Sequence, residues 1–351
     1  MKSISFDSVR TIGRTYETNG GLWFALSGAG IEFEFTGKRL DVTFLGDGAS
    51  VAEDKDSRAR AAVFINGERV CDPMIDSREK TVTVIESDSV KTFTVRVIKL
   101  SECAMSTLGL KPLSVGDADT VCPTKPKPHR IEFIGDSITC GYGVDDEDPL
   151  HHFSTATEDV TRAYAYKTAE LLGAEYSMFS TSGYGIISGY TEGERIPEQT
   201  IPQYYESYGF SYQRFADETA PQSLEWDFSR YVPELIVINL GTNDDSYCKD
   251  DAEKQAFYTE EYVRFLGLVR EKNPSAYILC TVGIMGQRIF GALDSAVERY
   301  KTESGDARIF SMLFDEQKPE DGLVADYHPT AVTHNKAAKR LSAEIRRIMK
   351  M

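Results

Sequence analysis

The hydrophobic period of this chain changes once, and the change divides it. Over residues 1–120 the apolar positions recur every second residue. Ile31, Phe33 and Phe35 alternate with Glu32 and Glu34, and Leu40, Val42 and Phe44 alternate with Asp41 and Thr43. Asn66-Gly67 sits between two short extended runs, the strongest short hairpin signal. "KTVTVIES" and "KTFTVRVIKL" are two more alternating runs, and no convincing amphipathic helix accompanies them. A period of two without helices predicts an antiparallel all-β domain, a sandwich of jelly-roll type. Residues 121–129, with three prolines and no periodicity, read as a linker.

From 130 to 351 the pattern alternates between strands and helices. Strand-like runs at 131–134, 175–179, 234–240, 276–282 and 308–313 are separated by helical stretches. One helix ends at Gly173, a plausible C′ glycine. A second puts Tyr258, Tyr262, Phe265, Leu266 and Val269 on one face, and the last aligns Ala331, Ala338, Leu341, Ile345 and Ile348. Alternating β and α elements imply a three-layer α/β/α domain around a parallel sheet. Five strands in the flavodoxin-like order 2-1-3-4-5 would place a ligand crevice beyond the carboxyl ends of strands 1 and 3.

A net charge of −16 disfavours nucleic acid and anionic membrane as partners. No run is long enough to span a bilayer. The amino-terminal stretch has no apolar leader core, and six dilute cysteines read as reduced thiols, so a cytoplasmic location is expected. No feature fixes an oligomeric state.

The chemistry gathers at strand ends. In "IEFIGDSITCGYG", Ser137 follows the first strand, and a serine there needs a base to become a nucleophile. Of five histidines, His328 alone combines a position after the last strand with a following Pro329 and helix, which makes it the best base by position. His334, inside that helix, reads as a helix-face residue. The Ser137 amide, a glycine amide from "STSGYG" after strand 2, and the Asn243 side chain in "NLGTND" after strand 3 are three candidate oxyanion donors. Taken singly, Ser137 could be a helix cap and Asn243 a turn residue. "DDEDPLHHF" lacks metal-ligand spacing, so no metal or other cofactor is expected. The long connection from Tyr142 to Thr161 is a candidate substrate rim. Tyr142 and Tyr184 adjoin these blocks and are candidate aromatic platforms for a ligand. Trp226 is a further candidate, although its place before "DFSRYVPELIV" also suits a packing anchor.

"GDSIT", the "TSGYG" glycines, "GTND" and "DYHP" resemble, in order, the four blocks of the SGNH (GDSL) hydrolases. With the β domain ahead of them, the chain is most similar to carbohydrate esterase family two. That resemblance covers essentially the whole chain. It implies metal-free removal of O-acetyl groups from xylan-, mannan- or glucan-type oligosaccharides through an acetyl-serine intermediate. By it Ser137 is the nucleophile, His328 the base, and Gly183 and Asn243 complete the oxyanion hole, with Gly185 as the alternative to Gly183. Many relatives place an aspartate three residues before the histidine; that position here is Ala325, and Asp326 stands two before. The proline after His328 biases Tyr327-His328 towards extended geometry. On that ground Asp326 is expected to orient the imidazole, with a backbone carbonyl as the alternative. Two other functions compete: a lipase or thioesterase on the same catalytic frame, and a carbohydrate-binding protein whose hydrolase half is inert.

Overall fold

The computed structural model describes residues 2–351, which fall into two compact units. The first comprises residues 1–126 together with 154–158 and 206–226. It is an antiparallel β-sandwich built around two long partners, Gly30–Gly46 and Glu79–Lys99. Their pairing shifts register between Gly37 and Arg39 and again between Leu40 and Asp41. Such bulges bend and twist strands, and they let one pair serve both layers of a sandwich. The alternating Ile31, Phe33 and Phe35 are all fully buried. Glu32, expected to face outward, is buried as well, clamped at 2.5 Å by both Arg10 and Arg96. Burial opposes its charge, but the two guanidinium groups outweigh that and bring its carboxyl down to about 2. Asn66 and Gly67, with φ of 52° and 87°, turn Ala61–Ile65 into Glu68–Cys71.

Two features of this unit depart from the sequence reading. Thr120–Pro123 pairs with Phe33–Thr36 as an edge strand, so part of the proline-rich stretch is sheet and not linker. Pro123, at the strand's last position, is compatible with an edge. Residues 206–226, which lie within the α/β part of the sequence, are held to the sandwich by side chains of its first strands. Tyr16 and Thr18 donate to Asp217 at 3.0 and 2.9 Å, and Asn19 donates to the Ala216 carbonyl at 3.0 Å.

The second unit holds a parallel sheet of five strands: β1 (Arg130–Gly135), β2 (Glu175–Ser180), β3 (Leu235–Asn239), β4 (Tyr277–Val282) and β5 (Ile309–Leu313). The order is 2-1-3-4-5, the flavodoxin-like order considered above. Six helices accompany it: α1 (Ser137–Cys140), α2 (Tyr164–Leu172), α3 (Thr242–Cys248), α4 (Ala252–Lys272), α5 (Phe290–Ser304) and α6 (Ala331–Met349). Leu235, Ile236, Val237 and Ile238 are all fully buried, which explains why β3 reads as a continuous apolar run. Tyr258, Tyr262, Phe265, Leu266 and Val269 form the buried face of α4, and Asp251 caps that helix by accepting from the amides of Glu253 and Lys254. Gly173, at φ 60°, ends α2. Because the order reverses between β1 and β3, the loops after these two strands flank one crevice.

Candidate active site

Ser137 is the first residue of α1, directly after β1. Asp136 caps this short helix by accepting from the Ile138 amide at 3.0 Å. Gly141 ends it at φ 82°, where a Cβ would run into the Asp159 carbonyl, so the chain reverses after a single turn and Ser137 stays at the sheet edge. After β5 the chain returns with His328, whose Nε2 lies 2.9 Å from Ser137 Oγ. His328 Nδ1 faces two carbonyls, Ala325 at 3.2 Å and Asp326 at 3.1 Å. Carbonyls only accept, so Nδ1 carries the proton and Nε2 offers its lone pair to the serine hydroxyl. Burial lowers the imidazole to about 4, against the opposing pull of those two carbonyls, which leaves it neutral at pH 7.

The Asp326 carboxylate does not meet the imidazole. It accepts from the Tyr142 hydroxyl at 2.5 Å and pairs with His152 Nδ1 at 3.0 Å. Burial alone would raise its pKa, but the bonds from Tyr142 and His152 prevail and hold it below the usual carboxylate range. The cause of this departure is local. Proline restricts only the residue immediately before it, and His328 is indeed extended, at φ −74° and ψ 165°. Asp326 and Tyr327 are left-handed instead, with φ of 50° and 61°. That turn points main-chain oxygens at Nδ1 and sends the carboxylate away. The loop after α1 holds the turn: Asp146 and His151 carbonyls accept from the amides of Ala325 and Asp326 at 3.1 and 2.9 Å. Tyr142, expected as a platform for a ligand, stacks on the imidazole at 4.0 Å between ring centroids. His151, the other histidine of the acidic loop, pairs with Asp146 at 3.0 Å.

Asn243 lies in the first turn of α3, and its amide donates to the Tyr184 carbonyl at 2.8 Å and, weakly, to Asp136 at 3.4 Å. Gly183 borders the same cavity. The amide of Gly185, the alternative donor, is taken by the Gln199 carbonyl at 3.2 Å. Sequence reasoning missed Asp244, which is fully buried and accepts from the amides of Ile186, Ile187 and Ser188, fixing the loop after β2. Burial raises Asp136 to about 7 and Asp244 to about 6. Both acids stand inside the quoted blocks, beside the residues that drew attention.

Ser137, Tyr142, Gly183, Asn243 and His328 line one cavity of about 730 Å³. Its rim adds Tyr190 and Tyr327, more than half exposed, and Arg288, which grips Asp245 through two contacts of 2.9 Å. No periodicity singles out these rim residues. Two aromatic candidates lie outside this lining. Tyr184 is buried, and its carbonyl serves Asn243. Trp226 belongs to the first unit, buried beneath the Arg14 guanidinium and edge-on to Tyr208 at 5.3 Å. His334 is fully buried in α6, where its Nδ1 accepts from the Tyr164 amide at 3.1 Å.

Residues 133–347 match the GDSL-like lipase/acylhydrolase family, and residues 11–124 match the carbohydrate esterase 2 N-terminal domain. The cellulase/esterase CelE of Acetivibrio thermocellus is 30% identical over 320 residues; the match covers 89% of this chain but only 37% of that protein. An acetylxylan esterase/glucomannan deacetylase of Cellvibrio japonicus is 25% identical over 97% of this chain and 89% of its own length. A family two carbohydrate esterase from Clostridium thermocellum, solved in complex with cellohexaose, has a TM-score of 0.84 at 28% identity, covering 97% of this chain and 99% of that one. The chain belongs to the GDSL-like lipase/acylhydrolase family and carries a carbohydrate esterase 2 N-terminal domain ahead of that region.

Proposed function

We propose that the protein is a carbohydrate O-acetyl esterase acting on acetylated oligosaccharides of xylan, mannan or glucan type. The observation that carries this reading is the 2.9 Å approach of the neutral His328 Nε2 to Ser137 Oγ, with Nδ1 held by two carbonyls. Ser137 Oγ attacks the acetyl carbonyl carbon while its proton passes to Nε2. The tetrahedral oxyanion is met by the Ser137 amide, the Gly183 amide and Asn243 Nδ2, donors whose strength lies in being positioned beforehand. The ester C–O bond then breaks, and the sugar oxygen leaves with the proton from the imidazolium. Water repeats the sequence on acetyl-Ser137, releasing acetate and restoring the serine. The two Ala325 and Asp326 carbonyls stabilise the imidazolium in both halves, so the machinery is a Ser137–His328 dyad oriented by backbone.

A polar, tyrosine-bearing rim supports sugar over lipid, and the relatives named above support the acetyl group. The six cysteines all stand as free thiols, which supports a cytoplasmic placement. The deciding experiment is acetate release followed by NMR on acetylated xylo- and manno-oligosaccharides, run beside p-nitrophenyl acetate and octanoate. Acetyl turnover far above octanoyl turnover, with regiospecific loss of sugar acetyl signals, is the expected result. Preference for octanoate with untouched sugar acetates would replace this reading with a lipase or thioesterase.

A further inference from the structure

Tyr142 is tied to both halves of the catalytic pair. Its amide donates to the Ser137 carbonyl at 3.2 Å, which fixes it to the nucleophile's own turn. The next residue, Gly143, is left-handed at φ 59°, and a Cβ there would stand 2.7 Å from the Ala325 Cβ. Glycine therefore lets the chain lie directly against the turn that carries His328. The main chain alone places Tyr142 between the serine and the histidine.

The side chain then meets the base in two ways. Its ring lies nearly parallel to the imidazole, at 20° and 4.0 Å between centroids, and Phe153 packs on the same ring at 4.9 Å. Its hydroxyl donates at 2.5 Å to the carboxylate of Asp326, the residue whose carbonyl accepts from Nδ1 at 3.1 Å. The imidazole borders a cavity of about 730 Å³, so what lies against its faces decides how much water reaches it. Desolvation favours the neutral base. The charges around His328 do not supply that bias: the Asp326 carboxylate favours the imidazolium, Ser137 is uncharged, and His334 in α6 is itself neutral, lowered to about 3 by burial. Apolar cover must supply it, and the Tyr142 ring is the cover stacked on the imidazole. We propose that Tyr142 is a positioning residue for His328: its ring shields one face of the imidazole from water, and its hydroxyl anchors the left-handed turn whose carbonyls hold Nδ1. The assignment rests on the Ser137–His328 esterase reading, in which the base must be neutral and in one tautomer.

Two variants separate the parts. Tyr142→Phe keeps the ring and removes the hydroxyl. Tyr142→Ala removes both, with Tyr142→Gln in its place should circular dichroism show the alanine chain unfolded. The first readout is the titration of His328 by NMR in the ¹³C-histidine-labelled full chain, its Cε1–H signal identified by its loss in His328→Gln. Wild type should titrate near 4 and Tyr142→Phe within about half a pH unit of it, while the ring-less variant should titrate at least about one pH unit higher, towards the ordinary 6.5, because water reaches the uncovered face. The second readout is p-nitrophenyl acetate hydrolysis at neutral pH, where loss of the tether in Tyr142→Phe should lower kcat about five-fold or more with little change in KM. An unmoved His328 midpoint in the folded ring-less variant, wild-type kcat in Tyr142→Phe, or an effect confined to KM would each overturn the proposal. The NMR titration needs no substrate, so it decides the role of the ring even if the wild-type protein releases no acetate, the result that would remove the esterase reading instead.

Discussion

Replacing Asp326 by asparagine separates two mechanisms by orders of magnitude. A carboxylate that orients and stabilises a triad histidine is worth about ten-thousand-fold in kcat, roughly 5.5 kcal/mol. In this protein the carboxylate contacts Tyr142 and His152, and the imidazole N–H is served by main-chain oxygens that asparagine leaves in place. Asparagine keeps an oxygen for the Tyr142 hydroxyl, so the change removes the charge assistance of that hydrogen bond, about 1 kcal/mol, while the contact with His152, which is 91% exposed, contributes little. The side chain is 34% exposed, and the solvent-screened loss of its charge near the imidazolium adds no more than about 0.5 kcal/mol. Together these give a loss of roughly five- to twelve-fold in kcat. Asp326→Ala should be worse than Asp326→Asn, because it also leaves the Tyr142 hydroxyl without its acceptor and the two left-handed residues without that tether. The assay is steady-state acetate release by both variants, with circular dichroism as the fold control. A loss above roughly a thousand-fold in a folded Asp326→Asn enzyme would mean that the carboxylate reaches the imidazole during turnover, and the backbone-oriented dyad would be wrong.

Ser137→Ala should lower acetate release by several orders of magnitude, leaving the residual catalysis of binding and oxyanion donors; a near-wild-type rate in a folded variant would exclude Ser137 as nucleophile. Asn243→Ala should reduce kcat about a hundred-fold or more with little change in KM, whereas an effect confined to KM would make Asn243 a ground-state positioning residue. Because His328 must be unprotonated to accept the serine proton and is held at about 4, kcat/KM should stay flat down through pH 6.5 and fall only near pH 4; an acid limb centred at 6.5 would contradict the buried, neutral imidazole. Asp136 bears on stability with the opposite sign: its carboxyl is raised from 3.8 to about 7, so the contribution it makes below pH 3.8 is lost as pH rises towards 7, at most about 4 kcal/mol. Asparagine is an equally good cap, so Asp136→Asn should gain stability relative to wild type between pH 4 and pH 7 in urea titrations, and a constant difference across that range would refute the raised carboxyl.

The architecture is legible because burial writes itself into hydrophobic period. The second unit's strands are buried on both faces and read as apolar runs, so their number and the helices between them can be counted directly. Their order is not written in the period: right-handed crossovers set only which face each helix covers, and 2-1-3-4-5 entered as the flavodoxin-like arrangement. What period does not reveal is where a segment docks. Residues 206–226 carry no helix or strand pattern, and their place in the first unit rests on hydrogen bonds such as those to Asp217 and on ring contacts of Tyr208 and Phe215 with Tyr16. Likewise Glu32 keeps the alternation and is still buried, because two arginines from neighbouring strands make its burial tolerable.

The site divides along a similar line. Ser137 and Asn243 can be singled out because they follow β1 and β3, neighbouring strands whose ends topology brings together, and His328 because it precedes Pro329 and the last helix. The partner of the imidazole cannot be found that way, since it depends on two φ angles. Asp326 and Tyr327 adopt a conformation that neither residue prefers. It is imposed by main-chain bonds to the loop after α1, far earlier in the chain: the Ala325 amide donates to the Asp146 carbonyl and the Asp326 amide to the His151 carbonyl. The bias imposed by Pro329 acts on His328 and stops there. A carboxylate two residues from a catalytic histidine therefore predicts a contact only if the backbone between them is extended. Here the left-handed turn commits the carboxylate to Tyr142 and His152 and turns the chain's own carbonyls to the imidazole. Tyr142 links the two halves of this arrangement: its ring covers the imidazole while its hydroxyl holds the acid that would otherwise be the third member of a triad.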